Sequence, residues 1–384
     1  MKFFHLSDLH IGLRLYNRDL LQDQSYIFRE IVELAKEEKP DALVIAGDIY
    51  DKAIPSAEAV GVFDQFVLTL KKELPDMVIM MISGNHDSAP RVNIYRDILK
   101  EQKIYMVGIP PQTPEEWIQK VTLEDEWGKV NFYLLPFVKP STVKQIVGTD
   151  ENGNLLSYAE TLKSLIERER ICSEERNVMV SHQFYLPAGT DAEKVERMDS
   201  EIRTVGNIDQ VSSEVLEVFD YSALGHIHKP MKVGSDRIRY CGTPLAVSVS
   251  EADQRKSVLC VEIKEKGTCE IKELHLHPLH NVRVIKGTLV EILQESCEDY
   301  VSVVLTDKVD LDVLDMQERL YVAFPNLLEI RRENIRKTDY EKAEAQMEMD
   351  LDPFHLCCAF LKDLEKSEKE LLLNVINEVK EEQA

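Results

Sequence analysis

Five short fragments carry residue types suited to holding divalent cations: Asp8-x-His10, Gly47-Asp48-x-x-Asp51, Gly84-Asn85-His86-Asp87, a single His182, and Gly225-His226-x-His228. Carboxylate oxygen, carboxamide oxygen and imidazole nitrogen together suit a transition ion such as Mn²⁺, Fe²⁺ or Zn²⁺ better than calcium, and the lack of cysteine among them weakens the case for zinc. In extended chain, residues i and i+2 point the same way. Asp8 with His10, and His226 with His228, can therefore each offer two ligands to one side. Glycine before Asp48, Asn85 and His226 lets the backbone turn tightly beside an ion. Any one fragment has a duller explanation as a turn or a cap. Five in order, each after an expected strand, leave little room for it.

The elements that must position them read as follows. Residues 2–6, 42–46 and 77–82 are continuous apolar runs of strand length, and 19–39, 56–74 and 89–102 carry helical periodicity, the second opening at Pro55-Ser56. This βαβαβ run predicts a parallel sheet with both faces covered. Further strands are expected at 130–135, 177–181, 221–224, 238–241 and 257–263, and a helix at 155–170. In open α/β sheets ligands bind beyond the carboxyl ends of the strands, so the five fragments should meet at one place. After a linker at 275–280 a second unit is expected, with strands at 282–287, 300–306 and 327–332 and helical stretches at 289–294 and 312–322. From residue 336 the chain is charged, glycine-free and helix-prone.

The 384 residues fit two to three domains at ~150 residues each, and 44% hydrophobic with 30% charged residues fits a soluble globular protein. No run approaches the ~18 apolar residues of a membrane helix, and the N-terminus lacks the pattern of a signal peptide, so a cytoplasmic protein without a membrane role is expected. Seven cysteines, outside any Cys-x-x-Cys spacing, predict neither disulfides nor structural zinc. The net charge of −23 opposes nucleic-acid binding through the overall field. Local charge at a metal site can oppose the sign of the whole chain.

On these five fragments the chain resembles the calcineurin-like metallophosphoesterase superfamily. More narrowly, Leu6-Ser-Asp-Leu-His10, Ala223-Leu-Gly-His-Ile-His-Lys-Pro230 and Tyr240-Cys-Gly-Thr-Pro244 resemble the SbcD branch of bacterial nuclease subunits, related to the double-strand-break-repair nucleases. The resemblance implies an α/β fold: a two-sheet metallophosphoesterase core over 1–275, a small α/β capping domain over 281–335 and a helical partner-docking tail over 336–384. It also implies two divalent ions, with Mn²⁺ favoured. One is held by Asp8, His10 and His228, the other by Asn85, His182 and His226, and Asp48 bridges them. His86 would be catalytic without binding metal, and Asp87 would orient its imidazole. Ser181 stands before His182 where relatives often have glycine.

The activity so implied is a DNA nuclease serving repair, recombination and replication. It would act as an exonuclease on duplex ends and as an endonuclease on single strands and hairpins. The competing readings are a small-molecule phosphodiesterase or phosphoprotein phosphatase of the same superfamily, and a non-catalytic scaffold. The module after residue 280 speaks against the former and the intact ligand set against the latter. Arg14, Tyr16, Asn17 and Arg18 after the first motif, and Arg91 and Asn93 after the third, are candidate DNA contacts. His275, His277 and His280 have metal-like spacing but no carboxylate neighbour in sequence and read as structural. Trp117 and Trp127 read as part of a surface insertion or hairpin.

The implied partners are DNA and an SbcC-like ABC ATPase with a coiled coil, in a heterotetramer holding a homodimer of this chain. Val60, Phe63, Val67 and Leu70 share one face of the helix over 56–74 and are the candidate dimer stripe. In the tail, Phe354, Cys357, Cys358, Leu361 and Leu364, then Leu371, Leu372, Val375, Ile376 and Val379, recur at three- and four-residue steps, a stripe suited to docking in a partner's groove.

Overall fold

The computed structural model describes residues 1–190, 209–252, 254–307, 312–333, 368, 369 and 372. Its strands run along the chain as β1 (Lys2–Leu6), β2 (Ala42–Ala46), β3 (Val78–Ile82), β4 (Ile104–Val107), β5 (Gln119–Asp125), β6 (Gly128–Leu135), β7 (Arg176–His182), β8 (Tyr221–Gly225), β9 (Met231–Val233), β10 (Ser235–Tyr240), β11 (Ser257–Ile263) and β12 (Cys269–His275), with a few shorter pieces between. They form two six-stranded sheets, ordered β12-β11-β1-β2-β3-β4 and β9-β10-β8-β7-β6-β5. In the first, β1 to β4 are parallel, and in the second β6, β7, β8 and β10 are parallel. The antiparallel pairings lie toward the margins, β11 on β1, β12 on β11, β5 on β6 and β9 on β10.

The apolar runs are continuous because both faces of these strands are buried. In β3, Val78, Met80 and Ile82 face the second sheet while Ile79 and Met81 face the helices, and in β2 Ala42, Val44 and Ala46 alternate with Leu43 and Ile45 in the same way. Between the sheets Phe3 meets Phe132 and Tyr221 edge-on at 5.3 and 5.7 Å. Burying such a ring stabilises the sandwich by roughly 1.5–3 kcal/mol. Helices α1 (Leu21–Glu38) and α2 (Ala57–Glu73) cover the first sheet, and α3 (Tyr158–Arg168) covers the second. Ser56 caps α2 by accepting from Ala59 N, and Ser157 with Glu160 forms a capping box on α3. The covering of the parallel sheet is thus asymmetric, helices on one face and a second sheet on the other.

The module after the linker is a parallel three-stranded sheet of β13 (Val282–Gly287), β14 (Tyr300–Leu305) and β15 (Leu327–Arg332), with α4 (Val313–Ala323) and a core of its own around Val301, Val303, Leu320 and Phe324. It touches the catalytic side through α1, where Tyr300 Oη donates to Asp23 Oδ2 at 2.9 Å. The expected tail, 336–384, lies outside the described residues apart from three positions.

One expected helix is broken. In place of 89–102 there are two short helices, Ala89–Val92 and Arg96–Lys100. Tyr95 between them takes a left-handed φ of 61°. The break lets Asn93 Oδ1 accept from Gly108 N at 3.2 Å, tying the segment to the end of β4. Strands β4, β5, β9 and β12 were not expected from sequence, and the β5–β6 hairpin carries Trp127 at its turn, where Asp125 Oδ1 accepts from Trp127 N.

Candidate metal centre

All five fragments sit at the carboxyl ends of parallel strands. Asp8 follows β1, Asp48 follows β2, Asn85 to Asp87 follow β3, His182 ends β7 and His226 follows β8. Packing the sheets face to face brings the three ends of one onto the two ends of the other. Asp8, His10, Asp48, His182, His226 and His228 are at most 5% exposed. Asp8, His10, Asp48 and His226 have positive φ, of 52°, 42°, 49° and 105°. Non-glycine residues there cost of order 1–3 kcal/mol each, strain that concentrates at functional sites. Backbone bonds hold it: Asp8 N donates to Gly47 O and His10 N to Asp48 O, both at 3.0 Å.

The side chains converge. His10 Nε2 lies 3.1 Å from His228 Nε2 and 3.7 Å from Asp48 Oδ2, and His182 Nε2 lies 3.3 Å from Asp48 Oδ2. Asn85 Oδ1 lies 2.9 Å from His182 Nε2 and 3.0 Å from His226 Nδ1. Among the described residues three groups could hold an ion, each with ligand atoms within 4.8 Å of one another: Asp8, His10 and His228; Asp8, Asp48 and His182; and His10, Asp48 and His86. The donor set fits divalent ions: imidazole nitrogens crowd one another around two buried carboxylates. His182 also donates Nδ1–H to Ala46 O at 2.7 Å, which leaves Nε2 facing Asp48 and Asn85. Gly47 and Gly84 make room. A Cβ on Gly47, at φ +90°, would lie 2.3 Å from His182 Nδ1, and one on Gly84 2.1 Å from Asp48 Oδ1.

Without ions the cluster's charges are unevenly shared. Burial raises the Asp8 carboxyl above the usual range, although His182 and His228 pull it back. Burial also opposes ionisation of Asp48, but His182, His10 and His86 around it hold it far below that range. Burial pushes His10 down to about 3. For His182, burial works against the charged form, yet Asp48 outweighs it and pushes the imidazole up to about 9.

His86 sits at the mouth of the cluster, its ring edge-on to His10 with centroids 4.8 Å apart. Its Nδ1 bonds to the Asp51 carbonyl at 2.9 Å and its backbone N donates to Asp48 Oδ1. The expectation that Asp87 orients this ring is corrected: its carboxylate accepts from the backbone N of Gly84, Ile49 and Tyr50, pinning the β2 and β3 loops together. A carboxylate so engaged is a loop staple, and the carbonyl of Asp51 orients the imidazole.

The candidate DNA contacts scatter. Arg14 lines a polar cleft of about 450 Å³ with Asp19, Asp51, Lys52 and Glu58. Tyr16 meets Glu329 and Arg331 on β15, and Arg18 donates to Pro325 O at 2.6 Å, so both face the small module. Asn17 is exposed. Arg91 lines a different, mostly apolar groove of about 530 Å³ with Val60, Phe63, Ile94, Tyr95 and Ile98, and Asn93 is committed to Gly108. His277 and His280 pair with Glu30 and Asp23 on α1, carboxylates distant in sequence, and belong to none of the ion-holding groups.

Sequence reasoning missed the residues behind the ligands. Gln24 on α1 donates to Leu9 O and His10 O and accepts from Gly12 N, holding the first loop. Ser7 donates to Asp8, and Glu251 stands behind His228. Only the position of Gln24 in the first turn of an amphipathic helix hinted at burial.

The calcineurin-like phosphoesterase family matches residues 1–230, and the type 5 capsule protein repressor C-terminal domain matches residues 278–364. Over 359 residues the chain is 28% identical to the SbcD subunit of the nuclease SbcCD from Staphylococcus epidermidis, covering 90% of this chain and 91% of the relative. Among solved structures it is similar to TT1561 of Thermus thermophilus, with 13% identity over 73% of this chain and 99% of that one at a TM-score of 0.37. It is also similar to a dimetal phosphatase from Danio rerio, with 13% identity over 74% and 99% at a TM-score of 0.39. With five motif fragments gathered at the carboxyl ends of two packed sheets and more than half of its length matched, the chain belongs to the calcineurin-like phosphoesterase family.

Proposed function

We propose that the chain is the nuclease subunit of an SbcCD-type complex, a two-metal phosphodiester hydrolase acting on DNA. The observation that carries the reading is the meeting of the five strand ends, which gathers donors suited to divalent ions beside a histidine that opens to the surface. Asp8, His10 and His228 would hold one ion, Asn85, His182 and His226 the other, with Asp48 shared. Such ions, Mn²⁺ by preference, neutralise phosphate charge and lower the pKa of bound water. His86 then acts on the leaving group. With Nδ1 held by the Asp51 carbonyl, a protonated ring has its Nε2–H left to give to the departing oxygen. Asp87, through its three amide bonds, keeps Asp48 and His86 in register.

The same reading covers the chain's organisation: a nuclease core over 1–275, a capping domain over 281–335 and a docking tail over 336–384, in a cytoplasmic protein that works in DNA repair, recombination and replication. No helix among the described residues is long and apolar enough to cross a membrane. We assign the tail to an SbcC-like coiled-coil ATPase, because an apolar stripe with lysine and glutamate on its other faces needs a partner's groove. Truncation after Lys337 should keep Mn²⁺ binding and nuclease activity and lose the ATPase. We assign a homodimer to the groove between α2 and the 89–100 segment, where Val60, Ile94, Tyr95 and Ile98 are 44%, 49%, 71% and 67% exposed. Phe63 and Leu70 of the expected stripe pack inward instead. A single chain per particle by light scattering would remove the dimer.

The deciding experiment gives the purified protein Mn²⁺ and three substrates side by side: labelled linear duplex, circular single strand and a small phosphodiester. Cleavage of both DNAs is expected. Cleavage confined to the small ester would replace the nuclease with the phosphodiesterase reading.

A further inference from the structure

We infer that Glu251, charge-balanced by Lys256, is a positioning residue for His228, and so sets the affinity of one of the two ions without touching it. The inference rests on the metal-binding reading above. Glu251 closes the 3₁₀ turn Val249–Glu251 and is 0% exposed. Its Oε1 lies 3.5 Å from His228 Nδ1, on the side of the ring away from His10, whose Nε2 is 3.1 Å from His228 Nε2. The ring is thus held between a carboxylate on one nitrogen and the ion-holding cluster on the other. A carboxylate so placed fixes which nitrogen carries the proton, holds the ring plane and raises the basicity of the ligating nitrogen.

The carboxylate is itself built in. Its Oε2 accepts from Lys256 Nζ at 2.6 Å and from Thr243 Oγ1 at 2.9 Å. Lys256, 5% exposed, also donates to Thr243 Oγ1 and Gln254 Oε1. A buried ion pair with nearly every donor and acceptor engaged is weak evidence for stability, since apolar residues of similar volume often serve as well. Its retention beside a ligand is better explained by position. Thr243 joins the ligand from a second direction, its backbone N donating to His228 O at 3.2 Å. A Cβ on Gly242 would lie 2.6 Å from that same carbonyl, so Gly242 and Thr243 pack closely on His228. By contrast His182 is oriented by the Ala46 carbonyl, a neutral group. The charged partner belongs to one ion's ligands alone, so its removal should split the two affinities.

The test is Mn²⁺ titration of the full chain, with free ion read by electron paramagnetic resonance, for wild type, Glu251→Gln and the charge-balanced pair Glu251→Gln with Lys256→Met. Wild type should bind two ions. Both variants should bind one ion with wild-type affinity and the other about 10–100-fold more weakly, with phosphodiester hydrolysis restored at excess Mn²⁺. The paired variant covers the case in which an unpaired Lys256 unfolds the single one. Two wild-type affinities in a folded variant would overturn the inference, as would equal weakening of both ions, which marks a merely structural role. Failure of the metal-binding reading is separately visible, as wild type that binds no Mn²⁺ at all.

Discussion

The ligand cluster and the polar cleft beside it lie within one turn of chain of each other, yet they are built differently. Cluster residues sit at strand ends, Asp8, His10, Asp48, His182, His226 and His228 among them are at most 5% exposed, and they are held by backbone bonds between loops of two packed sheets. The cleft is lined by the connections around residues 11–19 and 51–56 and by the first turns of α1 and α2. Arg14 and Lys52 project beside Asp51, and their neighbours Tyr16 and Arg18 turn to the small module. Rigid elements hold chemistry to tight tolerance while loops hold substrate loosely. Substitutions in the cluster should therefore behave as all-or-none changes, and those in the cleft as graded ones.

The largest effect is expected at Asp48, which is within 3.7 Å of His10 and 3.3 Å of His182 and so would be shared by both proposed ions. Asp48→Ala should lose both ions and reduce hydrolysis to background, measured as bound manganese beside nuclease rate. Gly84→Ala sharpens the point, because it alters no ligand yet puts a methyl group into the Asp48 carboxylate. It should match Asp48→Ala. Retention of both ions by either variant would show that the cluster tolerates loosening as a loop does.

His86 stands on the border between the two regions. His86→Ala should keep both ions and lose about 10²–10⁴-fold in rate, the usual contribution of a positioned acid or base. Because His86 can also group with His10 and Asp48 around an ion, manganese content decides between the roles. A missing ion would move His86 into the cluster.

That border also marks where the sequence stopped being readable. Cluster residues were legible because each follows a short apolar strand, and strand ends of a parallel sheet share one edge by topology. The roles of Asp87 and Asp51 were not legible, since the choice between orienting a ring and stapling loops depends on backbone amides that no side-chain pattern encodes. Glu251 was hidden for the same reason, being brought to His228 by the fold of a loop. Strands β5 and β12 escaped notice because most of their residues face solvent, and each has a single buried residue, Val121 and Leu274. The break at Tyr95 lay inside an acceptable helical period, and only the tie between Asn93 and Gly108 reveals it.

A moderate effect is expected with pH. His182 is pushed up to about 9 in the ion-free chain, so below that pH it carries a proton that must leave before Nε2 can bind an ion. Manganese affinity should therefore rise with pH from 6 to 8, by about tenfold per unit for one released proton, and flatten above 9. Calorimetry in buffers of different ionisation enthalpy counts that proton. An affinity independent of pH would place His182 among the neutral, preformed ligands.

The smallest effects belong to the cleft, and a comparison of two arginines isolates them. Arg14 lines the polar cleft with Asp51, whose carbonyl orients His86, so a phosphate held by Arg14 lies near the reacting centre. Arg91 lines the apolar groove among Val60, Phe63 and Tyr95. Both arginines stand outside the ion-holding groups found among the described residues, so both variants should bind two ions. Arg14→Ala should raise KM severalfold with kcat little changed, and should reduce the slope of log affinity against log salt by about one, as expected for one lost phosphate contact. Arg91→Ala should leave that slope alone. If the two arginines change it equally, the substrate path runs over the groove as well, and the groove is then no longer free to pair two copies of the chain. If neither changes it, the cleft is not the path, and contacts made by the partner must hold the DNA.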